Sequence, residues 1–270
     1  MVVQHNMAAA NANRQLGIST NTLSKSTEKL SSGYRINRAA DDAAGLSISE
    51  KMRSQIRGLN KASSNAQDGI SAIQTAEGAL NEAHSILQRM NELATQSAND
   101  TNTTADRNAV QSEVNALQKE LSRIASTTQF NKQNLLDGKF TSKHLQVGAL
   151  ENQKITINIA TMNAEALNVN SLDVTTFTKA GEAMTKIQAA ISKVSGQRSD
   201  LGALQNRLEH TVNNLDNISE NTQTAESRIR DTDMASEMVQ YSATSIIQQA
   251  GQSMLAQANS QTQGVLSLIQ

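Results

Sequence analysis

Four histidines, His5, His84, His144 and His210, are the first places to look for chemistry, and their spacing supplies none. No two stand at the i, i+4 separation that brings imidazoles to one helix face around a metal, and HExxH is absent. His84 falls at the edge of an apolar heptad and is predicted to pack. Asp41 and Asp42 form an adjacent carboxylate pair that could hold a cation or move a proton, but no further ligand stands near them in sequence. The work that suits one of them, Asp41 or Asp42, is capping the helix that follows. The chain contains no cysteine, which removes disulfides, thiolate zinc sites and cysteine nucleophiles. GxSxG, Walker and GxGxxG patterns are missing as well. Glu226 and Arg230, at i, i+4, read as an ordinary exposed ion pair. No catalytic, cofactor or metal residue is predicted, and an enzyme reading has nothing to stand on.

The elements that would position such groups are long helices. Stepping by seven from Met52 lands on Leu59, Ala66, Ile73, Leu80, Leu87 and Ala94, an apolar residue each time. A second row, Ala72, Ala76, Ala79, Ala83, Ile86, Met90 and Leu93, runs about 100° around the same helix. One partner cannot cover both rows. The helix spans 41–99, roughly 80 to 90 Å at 1.5 Å per residue. That length predicts a mainly α fold, an elongated antiparallel helical bundle or coiled coil. The polar run SANDTNTTAD ends it. Val110, Val114, Leu117, Leu121 and Ile124 then resume the heptad in a shorter helix folding back on the first. Between 128 and 175 the period changes. Asp137 and Gly138 suit a tight turn, Ile155, Ile157 and Ile159 alternate as a strand, and Leu145 with Val147 supplies its partner. This is a small β-hairpin region, at about 135–175, predicted to cap one end of the bundle. Ala180, Ile187, Val194, Leu201, Leu208 and Leu215 mark another long helix antiparallel to the first.

The two ends of the chain share an unusual property. Val2, Ala9, Leu16, Leu23 and Leu30 keep the step of seven, yet residues 1–24 carry only His5 and Arg14 as ionisable side chains. The last helix carries Ile247, Met254, Ala258, Val265 and Leu268, and no charged residue occurs from Met238 onward. A wet helix face ordinarily holds charges that keep a monomer soluble. A face buried in a polymer must avoid unpaired charge, whereas Gln, Asn, Ser and Thr can satisfy one another. The terminal helices are therefore predicted to self-assemble through Leu16, Leu23, Leu30, Ile247, Met254, Val265 and Leu268. Surface-membrane helices usually carry several Lys or Arg on the polar face, whereas residues 1–24 hold only Arg14 and none occurs from Met238 onward.

Composition agrees. The absence of proline and an aromatic content of 2% suit thin bundles over thick cores. A net charge of −1 without a basic face removes the electrostatic case for nucleic acid. No segment reaches the roughly 20 apolar residues of a membrane span. Residues 1–16 lack a basic start followed by an apolar run, so secretion would require a dedicated machine.

A series of motifs then carries a resemblance: NANRQL at 11–16, LSSGYRIN at 30–37, DDAAGL at 41–46, NAQDGISAIQTAEGALNEAHSILQRMNELATQSAN at 65–99, TQFN at 128–131, LLDG at 135–138, LGALQNRLEHTVNNL at 201–215, AESRIRDTDMASEM at 225–238 and SMLAQAN at 253–259. In this order the chain resembles bacterial flagellin over nearly its whole length, in a short form without the variable outer domains. The resemblance implies an inner-core coiled-coil domain from 1–42 with 230–270 and an outer helical bundle from 43–229. It implies a homopolymer, the flagellar filament of motility, whose subunits are exported unfolded by the flagellar type III system and lie outside the cell. Implied partners are an export chaperone at the C-terminal helix, filament cap and hook-associated proteins, and a host Toll-like receptor contacting Arg89, Leu93 and Glu113. Asn91 stands where recognised members commonly carry Arg, and Thr262 stands where many have proline. A hook-filament junction protein is the same-class alternative. A chemoreceptor-like signalling hairpin is the alternative from another class.

Overall fold

A computed structural model describes residues 6–267, with side chains to Gln261. Five helices, α1 (Met7–Ser32), α2 (Ala43–Ser97), α3 (Thr104–Thr127), α4 (Phe177–Arg230) and α5 (Met234–Ser267), account for most of the chain. Strands β1 (Gln129–Phe130) and β2 (Gln133–Asn134) pair antiparallel, as do β3 (Lys143–Gln146) and β4 (Lys154–Ile157). Among the described residues no helix is long and apolar enough to cross a membrane. The chain divides into two compact units, Met1–Ile56 with Glu220–Gln270, and Arg57–Ser219. The division falls inside α2 and α4.

In the unit Arg57–Ser219 both apolar rows of α2 are buried. Ala66, Ile73, Leu80, Leu87 and Ala94 from one row, and Ala76, Met90 and Leu93 from the other, join Val114 and Leu121 of α3 with Ile187, Val194, Leu201 and Leu208 of α4 in one core. Polar bonds fix the antiparallel register of α2 on α4: Ser63 Oγ donates to Asp216 Oδ1 at 3.0 Å and Ser219 Oγ to Asn60 Oδ1 at 2.8 Å. The turn before α3 ends in a capping box, in which Thr103 and Asp106 each satisfy the other's backbone N–H.

The hairpins extend this core rather than capping a bundle end. Ile155, Ile157 and Ile159 are buried in it, and Gly69 of α2 leaves room for Leu145, whose Cδ1 a Cβ there would strike. The pairing of Leu145 with Ile155 matches the alternation read from sequence. The β1–β2 hairpin ahead of it is a feature that alternation could not reveal, since each strand has two residues. From 160 to 175 there is no strand. The chain instead runs as irregular backbone that buries Met162, Ala164, Leu167, Val169, Leu172 and Val174.

Glutamine side chains hold that segment down. Gln111 of α3 accepts from Val174 N at 2.7 Å and donates to Leu172 O at 2.9 Å. Gln197 of α4 accepts from Ala160 N and donates to Asn158 O, each at 3.2 Å. Each amide replaces the partners that a sheet would have given the backbone. Asp173 closes the end of the segment. Its carboxylate accepts from Lys179 Nζ at 2.6 Å, Thr175 Oγ1 at 2.7 Å and Thr175 N at 2.9 Å. Those bonds, led by Lys179, lower its pKa from 3.8 to about 2.

Candidate self-association surface

The unit containing the chain ends is built on α1 and α5, which lie antiparallel. Along α1 the half-buried positions Ala9, Leu16, Leu23 and Leu30 repeat every seven residues, interleaved with Ala12, Ser19 and Ser26. Along α5 the matching positions are Tyr241, Gln248 and Leu255, interleaved with Thr244, Gly251 and Ala258. Ser26 and Thr244 are the buried polar members of this seam. Asn6 Nδ2 donates to Ala258 O at 2.9 Å, Gln248 Nε2 to Thr20 Oγ1 at 3.3 Å, and Lys29 Nζ pairs with Glu237 at 3.7 Å, fixing the register from end to end. Small and hydrogen-bonding side chains dominate the seam, so the two backbones can approach closely without unpaired charge.

The same unit stitches the ends of α1 and α4 together. Gly33 takes the left-handed conformation (φ 74°), which ends α1 with its N–H on Lys29 O at 2.8 Å. Arg35 N donates to Arg230 O at 2.7 Å, and the Arg35 guanidinium reaches Ile229 O, one of the last carbonyls of α4. Arg230 pairs with Glu50 at 3.2 Å and stacks on the Tyr34 ring, 4.5 Å from its centroid. The pair expected between Glu226 and Arg230 is therefore replaced. Glu226 accepts from the fully buried Ser49 hydroxyl at 2.9 Å, because a partner across the helix pair lets both groups leave water. Asp42 caps α2 by accepting from Gly45 N at 2.9 Å. Asp41 instead braces the connector, accepting from Arg38 N at 2.9 Å and Asn37 N at 3.2 Å, which lowers its pKa.

The sequence-predicted assembly residues separate into two sets. Leu16, Leu23 and Leu30 are half-buried in the seam within the chain. Ile247 and Met254 are not in it. The seam of α5 lies on other faces of the helix, and Ile247 and Met254 are 57% and 63% exposed. With Val239 and Ile246 they form an outward apolar row, and Met7 and Ile18 form a sparser one on α1. The apolar series read from sequence thus mixes two faces of α5: Ile247 and Met254 point outward, whereas Ala258 lies in the seam. Thr244, Gln248 and Gly251, polar or without a side chain, gave the real seam too little apolar signal to compete. Val265 lies on α5 but its side chain is outside the described residues, as is Leu268 altogether.

The other candidates lie in the unit Arg57–Ser219. Arg89 Nε and Nη2 donate to Glu113 Oε1 at 3.1 and 3.0 Å, and Nη1 to Glu92 at 3.2 Å, which raises the arginine's pKa. Both Arg89 and Glu113 face solvent. Leu93, at 2% exposure, packs in the core and offers almost no surface to a partner. A cleft of about 350 Å³ opens between α2 and the hairpins, lined by Asp68, Phe130, Phe140, Lys143 and His144 among others. Two of its polar side chains are engaged: His144 Nδ1 meets Thr156 Oγ1 at 3.0 Å, and Lys143 sits over the Phe140 ring at 6.0 Å. His84 is half-buried beside Gln88, as packing predicted, at 3.0 Å from Nε2. Among the described residues no three His, Cys, Asp or Glu are grouped to hold a metal.

The pairing of α1 with α5, an uncharged apolar row facing outward and a helical core define a structural protein of the coiled-coil type. Family models for the bacterial flagellin N-terminal and C-terminal helical regions match residues 3–141 and 184–269. The chain belongs to the bacterial flagellin family. It is 55% identical over 271 residues to a flagellin of Halalkalibacterium halodurans, covering all of both chains. It is 50% identical to the flagellar filament 33 kDa core protein of Treponema phagedenis and 49% identical to a flagellin of Bacillus subtilis, again with full coverage of both. Among solved structures, Bacillus cereus flagellin is similar over 56% of this chain and 88% of its own (TM-score 0.50, 30% identity). A putative flagellar hook-associated protein from Vibrio parahaemolyticus shares the fold over 71% of this chain and all of its own (TM-score 0.60), at 13% identity.

Proposed function

We infer that this chain is a structural subunit of the bacterial flagellar filament and polymerises through its terminal helices. One observation carries the mechanism: α5 has an exposed row, Val239, Ile246, Ile247 and Met254, on a helix with no charged side chain beyond Glu237. Within the chain α1 covers only one face of α5. The second face becomes buried when copies pack together, and apolar area leaving water at about 25 cal/mol per Å² drives the association. Relatives of full coverage that are named as filament proteins support the reading, and identity of about half or more to flagellins favours it over a junction protein. A signalling hairpin would have no use for the outward row.

In this reading the subunit works outside the cell and catalyses no reaction. It leaves the cell unfolded through the flagellar export apparatus, with a chaperone covering α5 until then and cap and hook-associated proteins bounding the polymer. Deleting 1–32 together with 233–270 should leave a soluble helical monomer that does not polymerise. Filaments of that truncated chain, seen by negative-stain microscopy, would refute the mechanism.

A host receptor contact through the long helix is a separate proposal, supported by the exposed ion pair of Arg89 and Glu113. Leu93 would act there by holding the helix face in place. Glu113→Ala should weaken signalling in a Toll-like receptor reporter cell while leaving the monomer's circular dichroism unchanged. Equal signalling by the variant would remove the contact from the proposal.

A further inference from the structure

Among the described residues the accessible thioethers are segregated. Met7, Met234, Met238 and Met254 are 74%, 47%, 50% and 63% exposed, and all four belong to α1 or α5. Met90 and Met162 are sealed in the other unit's core at 0% and 5%. Met184 is half-buried and its sulfur accepts from Thr95 Oγ1 at 3.3 Å, while Met52 is half-buried on α2. Sulfur that an oxidant can reach thus concentrates on the helices whose outward rows the filament reading buries between subunits.

We propose that Met7, Met234, Met238 and Met254 are a modification site for hydroperoxides, and that their sulfoxides hold the subunit in the unassembled state. The proposal rests on the filament reading. The sulfur lone pair attacks one oxygen of hydrogen peroxide, the O–O bond breaks and an S–O bond forms. Sulfur is oxidised by two electrons, and the other oxygen leaves as water after taking the proton. The product replaces an apolar, adaptable side chain with a strong hydrogen-bond acceptor. Met254 shares its row with Ile246 and Ile247, which have no side-chain donor to offer. Burying the new oxygen against a second copy of that surface leaves it unsatisfied. Met7, Met234 and Met238 extend the reactive surface along both helices. Packing between subunits shields the same sulfurs, so polymer resists the oxidant that disables free subunits.

The test uses the full chain. Monomer is treated with hydrogen peroxide, peptide mass spectrometry locates the added oxygens, and light scattering follows elongation from filament seeds. The four exposed methionines should oxidise before Met90 and Met162, and elongation should slow by about tenfold or more. Methionine sulfoxide reductase should restore it, and the fourfold Met→Leu variant should elongate equally before and after peroxide. Loss of elongation by that variant as large as that of the wild type overturns the proposal, as does normal elongation of fully oxidised wild type. If the fourfold variant cannot elongate even untreated, rescue of oxidised wild type by the reductase decides: recovery supports the proposal and no recovery overturns it. Failure of untreated wild type on seeds overturns the filament reading itself.

Discussion

Asp173 shows how much one side chain contributes when backbone has no sheet or helix to satisfy it. Three bonds and the neighbouring ammonium favour its ionised form, so the folded pKa of about 2 lies below the unfolded value near 3.8. A depressed carboxylate pKa stabilises the fold in full above the unfolded value, and the contribution disappears as pH falls through the folded one. The relevant window therefore runs from about pH 4 down to about pH 2. Its side chain is 43% exposed, so screening by solvent keeps the effect modest. Urea titrations of the wild type and Asp173→Asn should differ by a constant amount above pH 5 and converge on acidification. A stability difference that grows as pH falls would contradict this assignment. Gln111 and Gln197 act in the same way on the segment between β4 and α4, and nothing in their sequence context announced it. A clamp made by one amide over two backbone groups has no period to detect. A cap at Asp41 or Asp42, by contrast, was legible, because a carboxylate just before a helix can accept from its free N–H groups; which of the two would do so was not.

At the scale of elements, α5 carries two rows with different fates, and a pair of variants separates them. Leu16→Asn places an amide in the seam with α1 and should lower the monomer's helicity. Ile247→Asn alters the outward row alone, so the monomer's circular dichroism should be unchanged while seeded elongation falls by at least tenfold. That factor corresponds to about 1.4 kcal/mol of lost association. Equal elongation by Ile247→Asn and wild type would show that the row is not an assembly contact. The helices themselves were readable from sequence because their heptads are long and uninterrupted by proline. So was the pairing of β3 with β4, since Leu145 and Ile155 both sit in alternating runs. Which row of α5 meets α1 was not readable. Periodicity counts apolar residues, whereas the seam selects small ones, Gly251 and Ala258, and hydrogen-bonding ones, Thr244 and Gln248. The division into two compact units was also hidden, because α2 and α4 continue through the boundary without any break in pattern.

For the whole molecule, the joining of α1 to α5 sets an expected order of folding. Asn6 bonds to Ala258, 252 positions later. Closing a loop of that size costs more entropy than forming the local hairpin of α2 with α3, and the cost must be met before the contact returns anything. Residues 57–219 should therefore acquire protection first, and pulse-labelled hydrogen exchange during refolding should find α1 and α5 protected later. Simultaneous protection of all five helices would refute this order. A ribosome releases α1 long before α5 exists, so the nascent chain carries an unmated amphipathic helix until its mate has been made. A copy that has not yet acquired α5 keeps α1 free, and the seam closes only when both helices are present.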